Sequence, residues 1–424
     1  MAEKAYRYRI YPNKKQQELI QKTFGCTRFV YNYYLNKRKE MYENDKTTFT
    51  YNMCSKDLTN LKKELEWLKE PDKYSLQNAL KDLDVSYQKL FKEHTGYPKF
   101  KSKKNRYKSY RTSYTNDNIR FENKHIKLPK LGLVKVRDKQ IPQGRILNAT
   151  ISQEPNGHYY CSLCCTDVEF EQLPKTNKNV GIDLGIKEFC IISDGIKIEN
   201  PQFYEQSEKK LAKLQRELSR KTIGSARWKK ARLKVAKLQK HIADQRNDFL
   251  QKLTTIIVSN YDVIAIEDLN VKEMKQTDSK IRNKRVGDVS WSEFRKMLTY
   301  KSQWYGKELS VIDRYYSSSQ ICHVCGHRDG KKSEDIRFWI CPNCNSELDR
   351  DINASINILN EGLRLLNVYV MYKNRRNYGD SSVILSSLEL LTENPATLVV
   401  GGSDSTGKRT KDWFCLLYET NQFE

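Results

Sequence analysis

Two Cys-x-x-Cys pairs lie close together in the segment CHVCGHRDGKKSEDIRFWICPNCNSELDRDINASIN, residues 322 to 357. Their spacing, C-x2-C-x15-C-x2-C, is typical of zinc modules. Four thiolates fill the tetrahedral shell of Zn²⁺ and leave no position open for catalysis. His323 and His327 are rival ligands by position, but the four cysteines already complete the set. We therefore predict a structural zinc site whose ligands are Cys322, Cys325, Cys341 and Cys344.

The chain has eleven cysteines, and the others show no convincing ligand pattern. Cys161 and Cys164 form a further Cys-x-x-Cys, but they lie in the β-like run HYYCSLCC without a partner pair. We interpret them as buried strand thiols. The N-terminal MAEKAYRYRIYPNKK lacks the apolar stretch of a signal peptide, and no apolar run approaches the roughly 18 residues of a spanning helix. We expect a soluble, intracellular protein that is not associated with a membrane.

The chain is strongly basic, with 76 Lys and Arg against 52 Asp and Glu and a formal net charge of +24. This charge predicts a polyanionic partner, and nucleic acid is the leading candidate. Three segments concentrate the cations: the alternating strand AYRYRIY, the stretch YPKFKSKKNRYKSYRTSY, and a helical hairpin at residues 209 to 240 with thirteen basic residues and one acid. A charged linker or a solvated helix face is the simpler alternative for the second and third segments.

Cations that follow a phosphate backbone and aromatic rings that stack on bases are what a nucleic-acid groove needs. From these segments we predict twelve contact residues: Tyr6, Arg7, Arg9, Lys99, Lys101, Lys103, Lys104, Arg106, Lys108, Arg111, Lys229 and Lys230.

The hydrophobic pattern divides the chain into regions of different period. Residues 13 to 97 have helical spacing, whereas residues 98 to 174 contain short β runs. Since the strand within residues 1 to 12 has no local partner, we expect it to join these β runs. The result would be a β-barrel, residues 1 to 12 and 98 to 174, into which an α-helical domain is inserted.

From residue 175 onward the order of elements is three strands, helices, a strand, a helix, a strand, the cysteine segment and a final helix. This is the element order of an RNase H-like fold, so we predict an α/β nuclease domain at residues 175 to 320 and 346 to 364. The zinc-binding insertion occupies residues 321 to 345. Residues 365 to 424 match no assignable pattern and are treated as a tail of unknown role.

Carboxylates stand at unusual positions in this region. Asp183 lies inside a strand, Glu267 ends a continuous apolar strand, and an acidic pair opens the last helix. Hydrolysis of a phosphodiester with two Mg²⁺ or Mn²⁺ ions needs such oxygen ligands at one point, with the ions roughly 4 Å apart. We choose Asp351 as the third ligand because Asp349 is well placed to cap the helix. The predicted catalytic and metal-binding triad is Asp183, Glu267 and Asp351.

The motifs GIDLG, AIEDLN, the paired cysteines and DRDINASINI together resemble the split RuvC nuclease domain of TnpB, the protein encoded by many bacterial insertion sequences, and of the related compact type V CRISPR nucleases. The segments RYRIYPNKKQQELIQKTFGCTRFVYN, PKFKSKK and QRNDFLQKL are also similar to TnpB, and the match covers about residues 5 to 362. In that family the acids matching Asp183, Glu267 and Asp351 bind the catalytic metals.

The resemblance implies a wedge domain for the β-barrel, a recognition domain for the inserted helices, and RNA-guided cleavage of double-stranded DNA beside a short adjacent motif. Its partners would be a guide RNA and the target DNA, with structural Zn²⁺ and catalytic Mg²⁺ or Mn²⁺ as cofactors. The resemblance also implies a cytoplasmic bacterial protein associated with the nucleoid. Three alternatives are a transposase that transfers strands, a catalytically idle RNA-guided repressor, and a zinc-ribbon DNA-binding factor. The complete acidic triad argues against the last two.

Overall fold

The computed structural model describes residues 2–276, 279–333 and 335–376 of the 424-residue chain. These residues form two compact units. Unit 1 consists of residues 2–169 and 229–237, and unit 2 consists of residues 170–228 and the described residues from 238 onward. No helix in the described ranges has the length and apolar character needed to cross a membrane.

Unit 1 contains a seven-stranded sheet. Its first strand, β1, pairs antiparallel with β5 and β7, which confirms that the N-terminal strand joins the later β runs. The strand order is β2-β6-β7-β1-β5-β4-β3. Among the described residues, the two outer strands, β2 and β3, are not hydrogen-bonded to each other. The strands are β1 (Ala2–Tyr11), β2 (Lys108–Ser113), β3 (Arg120–Glu122), β4 (His125–Leu128), β5 (Gly132–Val136), β6 (Arg145–Gln153) and β7 (Tyr159–Val168).

The helices of unit 1 occupy the predicted helical region. They are α1 (Lys14–Asp45), α2 (Tyr51–Glu64) and α3 (Lys73–Glu93), with a short 3-10 helix at Glu66–Lys69. A polar side chain caps each N-terminus, because Asn13, Thr50 and Asp72 each accept a hydrogen bond from a backbone N–H of the first turn. The buried faces of these helices pack together through residues such as Val30, Tyr34, Leu58, Leu76 and Leu80.

Unit 2 is built on a five-stranded sheet in the order β10-β9-β8-β11-β12. The strands β8, β11 and β12 are parallel, whereas β9 is antiparallel to both of its neighbours. Parallel neighbours need long crossovers, and helices supply them here. The strands are β8 (Asn179–Leu184), β9 (Glu188–Ile192), β10 (Lys197–Glu199), β11 (Val263–Glu267) and β12 (Glu308–Ile312).

The connecting elements follow the predicted order, with α4 and α5 between β10 and β11 and the cysteine segment between β12 and the last helix. The helices are α4 (Phe203–Ser219), α5 (Ala226–Asn260), α6 (Val271–Met274), α7 (Lys280–Val289), α8 (Trp291–Tyr305) and α9 (Arg350–Arg376), with a 3-10 helix at Ser318–Gln320. Two short strands, β13 (Phe338–Ile340) and β14 (Glu347–Asp349), pair antiparallel.

Two elements of secondary structure cross the predicted domain boundaries. The pairing of β14 with β13 extends the cysteine-containing insertion beyond residue 345, because Glu347 lies opposite Ile340. The last helix, α9, runs on to Arg376 and so passes the predicted end of the nuclease domain at residue 364. The rest of the predicted tail, residues 377 to 424, lies outside the described residues.

Helix α9 lies very close to the sheet of unit 2, and two glycines permit this approach. A Cβ atom added at Gly181 in β8 would lie 2.0 Å from the carbonyl oxygen of Ser355, and one added at Gly362 in α9 would lie 2.4 Å from the Cβ of Ala265 in β11. The hydroxyl of Ser310 also donates to the carbonyl of Gly362 at 3.0 Å. The helix backbone therefore rests directly on the strands.

A buried ion pair fixes the start of the sheet. The Lys307 ammonium, 1% exposed, donates to Asp262 Oδ1 at 2.6 Å and to the carbonyl of Pro174. The carboxylate of Asp262 also accepts backbone N–H groups from Thr176 and Asn177. The pKa of Asp262 is lowered to about 2, and the hydrogen bond from Lys307 is the largest cause. Together these contacts hold the segment before β8 against β11.

Replacing Gly362 with alanine tests the close packing of α9. We expect Gly362→Ala to destabilise the protein by about 1–3 kcal/mol, since the added methyl group overlaps Ala265. The matched control is Gly287→Ala in α7, where the nearest atom to the new Cβ is the flexible Lys275 side chain at 3.7 Å. That change should be neutral or stabilise by about 0.5–1 kcal/mol. Thermal unfolding of both variants measures the difference, and equal melting temperatures would contradict the packing argument.

Candidate functional site

The strand register brings two of the predicted acids together. Ile182 in β8 lies directly opposite Ile266 in the parallel neighbour β11. The next residues, Asp183 and Glu267, therefore lie side by side where the two strands end. Asp351, in the first turn of α9, lies near enough to act electrostatically on Asp183, and α9 packs along both strands.

The three carboxylates interact electrostatically. Burial, and after it the negative charges of Glu267 and Asp351, raise the pKa of Asp183 to about 8, while Arg350 opposes the shift. Burial also raises the pKa of Glu267, against a hydrogen bond of 2.7 Å that the Ser318 hydroxyl donates to it. These partly buried acids lie close enough for their charges to interact, and a divalent cation would neutralise them. Their oxygens are the ligands that Mg²⁺ prefers.

The acids next to the triad are held by other partners. Asp349 caps α9, since its Oδ1 accepts the backbone N–H groups of Asp351 at 3.0 Å and Ile352 at 3.1 Å. Burial acts to raise its pKa, but the Lys197 ammonium at 2.6 Å and the two N–H groups keep that pKa below its usual value. Asp268 forms ion pairs with Arg295 and Arg314. Asp349 thus has the capping position that the sequence predicted for it.

The structure adds a basic residue that the sequence analysis did not select. Arg337, just before β13, places its Nη1 2.6 Å from Asp351 Oδ2. Its carbonyl oxygen also accepts the backbone N–H of Arg350 at 2.8 Å. In the sequence, Arg337 lies in a polar loop between the two cysteine pairs. The only feature that could have indicated a role at the site was the position of this loop shortly before the acidic start of the last helix. The insertion thereby contributes a cation to the acidic cluster.

The four predicted zinc ligands form one cluster. Their Sγ atoms all lie within 4.8 Å of one another, with 3.7 Å between Cys322 and Cys344 and 3.6 Å between Cys325 and Cys341. Four thiolates at the usual Zn–S length form a tetrahedron with edges of about 3.8 Å. The cluster therefore fits a tetrahedral Zn²⁺ site. His323 faces Asn353, whose Oδ1 lies 3.0 Å from its Nδ1.

Two buried asparagines of α9 hold this cysteine module against the helix. Asn353 donates to the carbonyl of Ile321 at 2.7 Å and accepts the backbone N–H of His323 at 2.9 Å. Asn357 donates to the carbonyls of Ser318 and Ile321. Both side chains are nearly fully buried. The module and the helix that carries Asp351 are therefore one packed structure.

The predicted nucleic-acid contacts fall into three groups in unit 1: on β1, on the segment from residue 99 into β2, and at Lys229 and Lys230 in α5. Arg7 and Arg9 lie on the exposed face of β1, and Lys99, Lys101, Lys103, Lys104 and Arg106 are exposed before β2. Arg111 is less free, because it pairs with Asp82 at 2.8 Å. Tyr6 differs from the prediction: it is 4% exposed, so its ring faces the core and not a surface ligand. The alternation of β1 places Tyr6 on the same buried face as Tyr8 and Ile10.

A wide cleft in unit 1 is lined by several basic side chains. Its volume is about 930 Å³, and it is lined mainly by α1, α3, β2 and the segment before β2. The basic side chains in its wall are Arg28, Lys81, Lys89, Lys101, Lys108 and Arg111. In α5, Lys229 and Lys230 are exposed.

Comparison with known proteins gives the family. A protein of Streptomyces pristinaespiralis named "Putative RNA-guided DNA endonuclease" is 38% identical over 85% of this chain and 89% of its own length. The Escherichia coli K12 protein "Putative RNA-guided DNA endonuclease InsQ" is 31% identical over 85% of this chain and 93% of its own length. A mimivirus "TnpB-like protein L770" is 22% identical over 84% of this chain. The chain belongs to the TnpB family.

Three family models match parts of this TnpB-family chain. They are described as "Probable transposase" for residues 162–278, "Cas12f1-like, TNB domain" for residues 291–358 and "Helix-turn-helix domain" for residues 1–47. The second match spans all four clustered cysteines and Asp351. The resemblance predicted from the sequence motifs is therefore confirmed.

The fold is similar to a solved Cas12f1 complex with a single-guide RNA and target DNA. The TM-score is 0.55 at 12% sequence identity, and the match covers 84% of this chain and 98% of the Cas12f1 chain. At this identity the likeness concerns the fold alone. It places the TnpB-family chain among proteins with the architecture of compact Cas12 nucleases.

The cysteine cluster predicts a metal content. Purified TnpB-family protein should contain about one zinc per chain, and Cys341→Ser should lose it, because three thiolates and a hydroxyl bind Zn²⁺ far more weakly. Elemental analysis measures the metal, and limited proteolysis within residues 321–349 reports the folding of the module. The matched control is Cys190→Ser, a buried cysteine of β9 outside the cluster. Native protein that contains no zinc would contradict the site.

Proposed function

We propose that this protein is an RNA-guided DNA endonuclease that cuts double-stranded DNA beside a short adjacent motif by metal-dependent hydrolysis. The observation that carries the proposal is that Asp183 and Glu267 lie at the ends of two adjacent strands, with Asp351 near enough to interact with Asp183. The names of the relatives from Streptomyces and E. coli support the same activity. Three carboxylates close together repel one another and destabilise the folded protein unless a bound cation neutralises them, so such a group is a candidate functional site.

The topology of unit 2 supports an RNase H-like, RuvC-type domain. Its sheet has three antiparallel strands followed by two parallel ones, with the first strand central. In this arrangement the central strand carries Asp183, its parallel neighbour carries Glu267, and the final helix carries Asp351. By the same reasoning, the sheet and helices of unit 1 correspond to a wedge domain and a recognition domain.

The chemistry would be in-line attack of water on a DNA phosphate. Two Mg²⁺ or Mn²⁺ ions, when bound, lower the pKa of the attacking water and neutralise charge on the leaving 3′ oxygen. Asp183, Glu267 and Asp351 would hold them. Ser318 orients the Glu267 carboxylate, and Asp349 fixes the start of α9 so that Asp351 points into the cluster.

Arg337 has a separate part in this proposal. Its guanidinium donates to Asp351 and lies at the acidic cluster, where a phosphate of the substrate would arrive. A guanidinium binds phosphate oxygens well because its planar donors match them. Arg337 would therefore exchange Asp351 for the phosphate, or bridge the two, when DNA enters.

The target sequence would be chosen by base pairing between a guide RNA and one DNA strand. The protein would contact mainly the sugar-phosphate backbones. The exposed residues Lys99 to Arg106, the basic cleft of unit 1, and Lys229 and Lys230 are the candidate surfaces. A net charge of +24 is consistent with many phosphate contacts.

One alternative has support in the description "Probable transposase". A transposase would use the same acids to join DNA ends as well as to cut them. A cleavage assay that also detects joined products separates the two, because a nuclease releases ends and forms no strand-transfer product.

Removing single acids tests the triad. Asp183→Ala, Glu267→Ala and Asp351→Ala should each reduce cleavage by at least about 10³-fold, while RNA-dependent DNA binding stays within about threefold, because the acids would hold metal and not the duplex. The matched variant is Asp349→Ala, which should still cut, since its carboxylate caps the helix. If Asp349→Ala were inactive and Asp351→Ala active, the third ligand would have been assigned wrongly.

Exchanging the guide tests RNA guidance. The protein is expressed with its RNA, or with the guide segment replaced by an unrelated sequence, and each complex receives two plasmids that carry the same flanking motif. Cleavage should follow the guide, because base pairing would select the target. If both guides direct cutting to one plasmid, or RNase-treated protein keeps its preference, guidance by RNA is wrong.

A further inference from the structure

The loop at residues 313–317 connects the end of β12 to the 3-10 helix Ser318–Gln320. Ile312, the last residue of β12, lies opposite Glu267 in β11. The loop therefore begins at the sheet edge that carries the acidic cluster. It contains one feature that the proposed function does not use, which is a large aromatic side chain in solvent.

Two contacts hold this loop beside the acids. Near its start, Arg314 donates to Asp268 Oδ2 at 2.9 Å, and Asp268 directly follows Glu267 in the chain. Just after its end, the Ser318 hydroxyl donates to Glu267 Oε1 at 2.7 Å. Asn357 of α9 also donates to the carbonyl of Ser318 at 2.8 Å. The loop is thus attached on both sides to the acidic cluster or to its immediate neighbour.

Tyr315 projects from this loop into solvent. It is 83% exposed, and no ring of the described residues stacks on it. Asp313 fixes the backbone at this point, because its Oδ1 accepts the N–H of Tyr315 at 2.7 Å. The neighbouring Tyr316 instead packs against buried residues that include Ala265 and Ile358. Of two adjacent tyrosines, the fold therefore packs one and leaves the other ring open to a partner.

The charges around the loop match a nucleic acid. Asp268 is shared by Arg314 and Arg295, so this group of three side chains keeps one net positive charge. Arg328 adds another where it donates to the Ser317 hydroxyl at 2.9 Å. Cations that contact phosphates and an exposed ring that stacks on a base are the two parts of a site for single-stranded nucleic acid. An apolar protein surface would match the ring but not these charges.

The position of the ring, and not its exposure alone, gives it a role, since single exposed aromatic residues are common. Tyr315 stands three residues before Ser318. Three residues of chain span at most about 11 Å. Because stacked DNA rises about 3.4 Å per nucleotide, the ring can reach bases within about three nucleotides of a phosphate at Glu267.

We propose that Tyr315 stacks on one unpaired base of the DNA strand being cut, within about three nucleotides of the scissile phosphate. The inference rests on the proposed function, because it requires a DNA strand at Glu267. The stacked ring holds the strand so that its phosphate stays at the acids. Since every base has a π face, the contact does not depend on which base is present. It therefore speeds cutting of every guide-matched target without adding a sequence preference.

The test uses the complete protein–RNA complex and guide-matched DNA whose cut position has been mapped. In the strand that does not pair with the guide, nucleotides near the cut are replaced one at a time by an abasic residue, so guide pairing is unchanged. The single-turnover rate of cutting that strand is measured for each substrate. At one position the abasic residue should slow cutting about tenfold, whereas the four bases should be cut within about threefold of one another.

Variants of Tyr315 connect this effect to the ring. Tyr315→Ala should cut intact DNA about tenfold more slowly, and the abasic residue should then cause no further loss, because ring and base act on each other. Tyr315→Phe keeps the ring and should keep both the rate and the abasic effect. The matched control is Tyr42→Ala, which removes a 58% exposed tyrosine of α1 in unit 1. It should leave the abasic effect unchanged.

The outcomes are distinct. If Tyr315→Ala slows intact and abasic DNA by the same factor, the ring only supports the loop, and the inference is wrong. An unchanged rate in Tyr315→Ala, or no abasic effect at any position, also overturns it. A loss in Tyr315→Phe as large as in Tyr315→Ala would assign the contact to the hydroxyl and would overturn stacking.

The unaltered complex separates this inference from the proposed function. If that complex cuts guide-matched DNA, any of these contrary results leaves the proposed function standing. If it cuts no guide-matched DNA, the proposed function fails, and the inference fails with it.

Discussion

The close contact between α9 and the central strands of unit 2 is the constraint on which the candidate site depends. Gly181 and Gly362 have no side chain, so the helix backbone lies against β8 and β11 without an intervening layer. At an ordinary helix-to-sheet distance, the first turn of α9 would stand farther from the strand ends. Asp351 could not then meet Asp183 and Glu267. The packing of two glycines thus determines whether three separate acids become one cluster.

The cysteine module has its effect through the same helix. Asn353 and Asn357 bind its backbone carbonyls, Arg337 donates to Asp351, and Asp349 both ends β14 and caps α9. Zinc at the four thiolates would therefore stabilise more than a small ribbon, since it would fix the entry of the chain into the helix. This explains why a site with no catalytic position immediately precedes an acidic helix start.

Much of this arrangement could be predicted because its signals are local. The period-2 runs and the continuous apolar run identified the strands of both sheets except β2, which lies in the basic stretch, and the cysteine spacing identified the cysteine cluster. The choice of Asp349 as a cap followed from helix-end chemistry alone. Tyr6 was misjudged because alternation gives two faces but does not say which face the core covers. Arg337 was missed because nothing in its own loop indicates that it would meet Asp351 on another element.

The sequence by itself determined most of the elements, the four clustered cysteines and the acids proposed as metal ligands, because hydrophobic period, capping and ligand spacing act over a few residues. Tertiary structure decided the rest: the register that puts Asp183 beside Glu267, the approach of α9 and the Arg337–Asp351 contact. Each of these joins residues that lie on different elements, from 14 to more than a hundred positions apart. Such contacts arise only when the packed sheet and helices fix distances that no local pattern encodes.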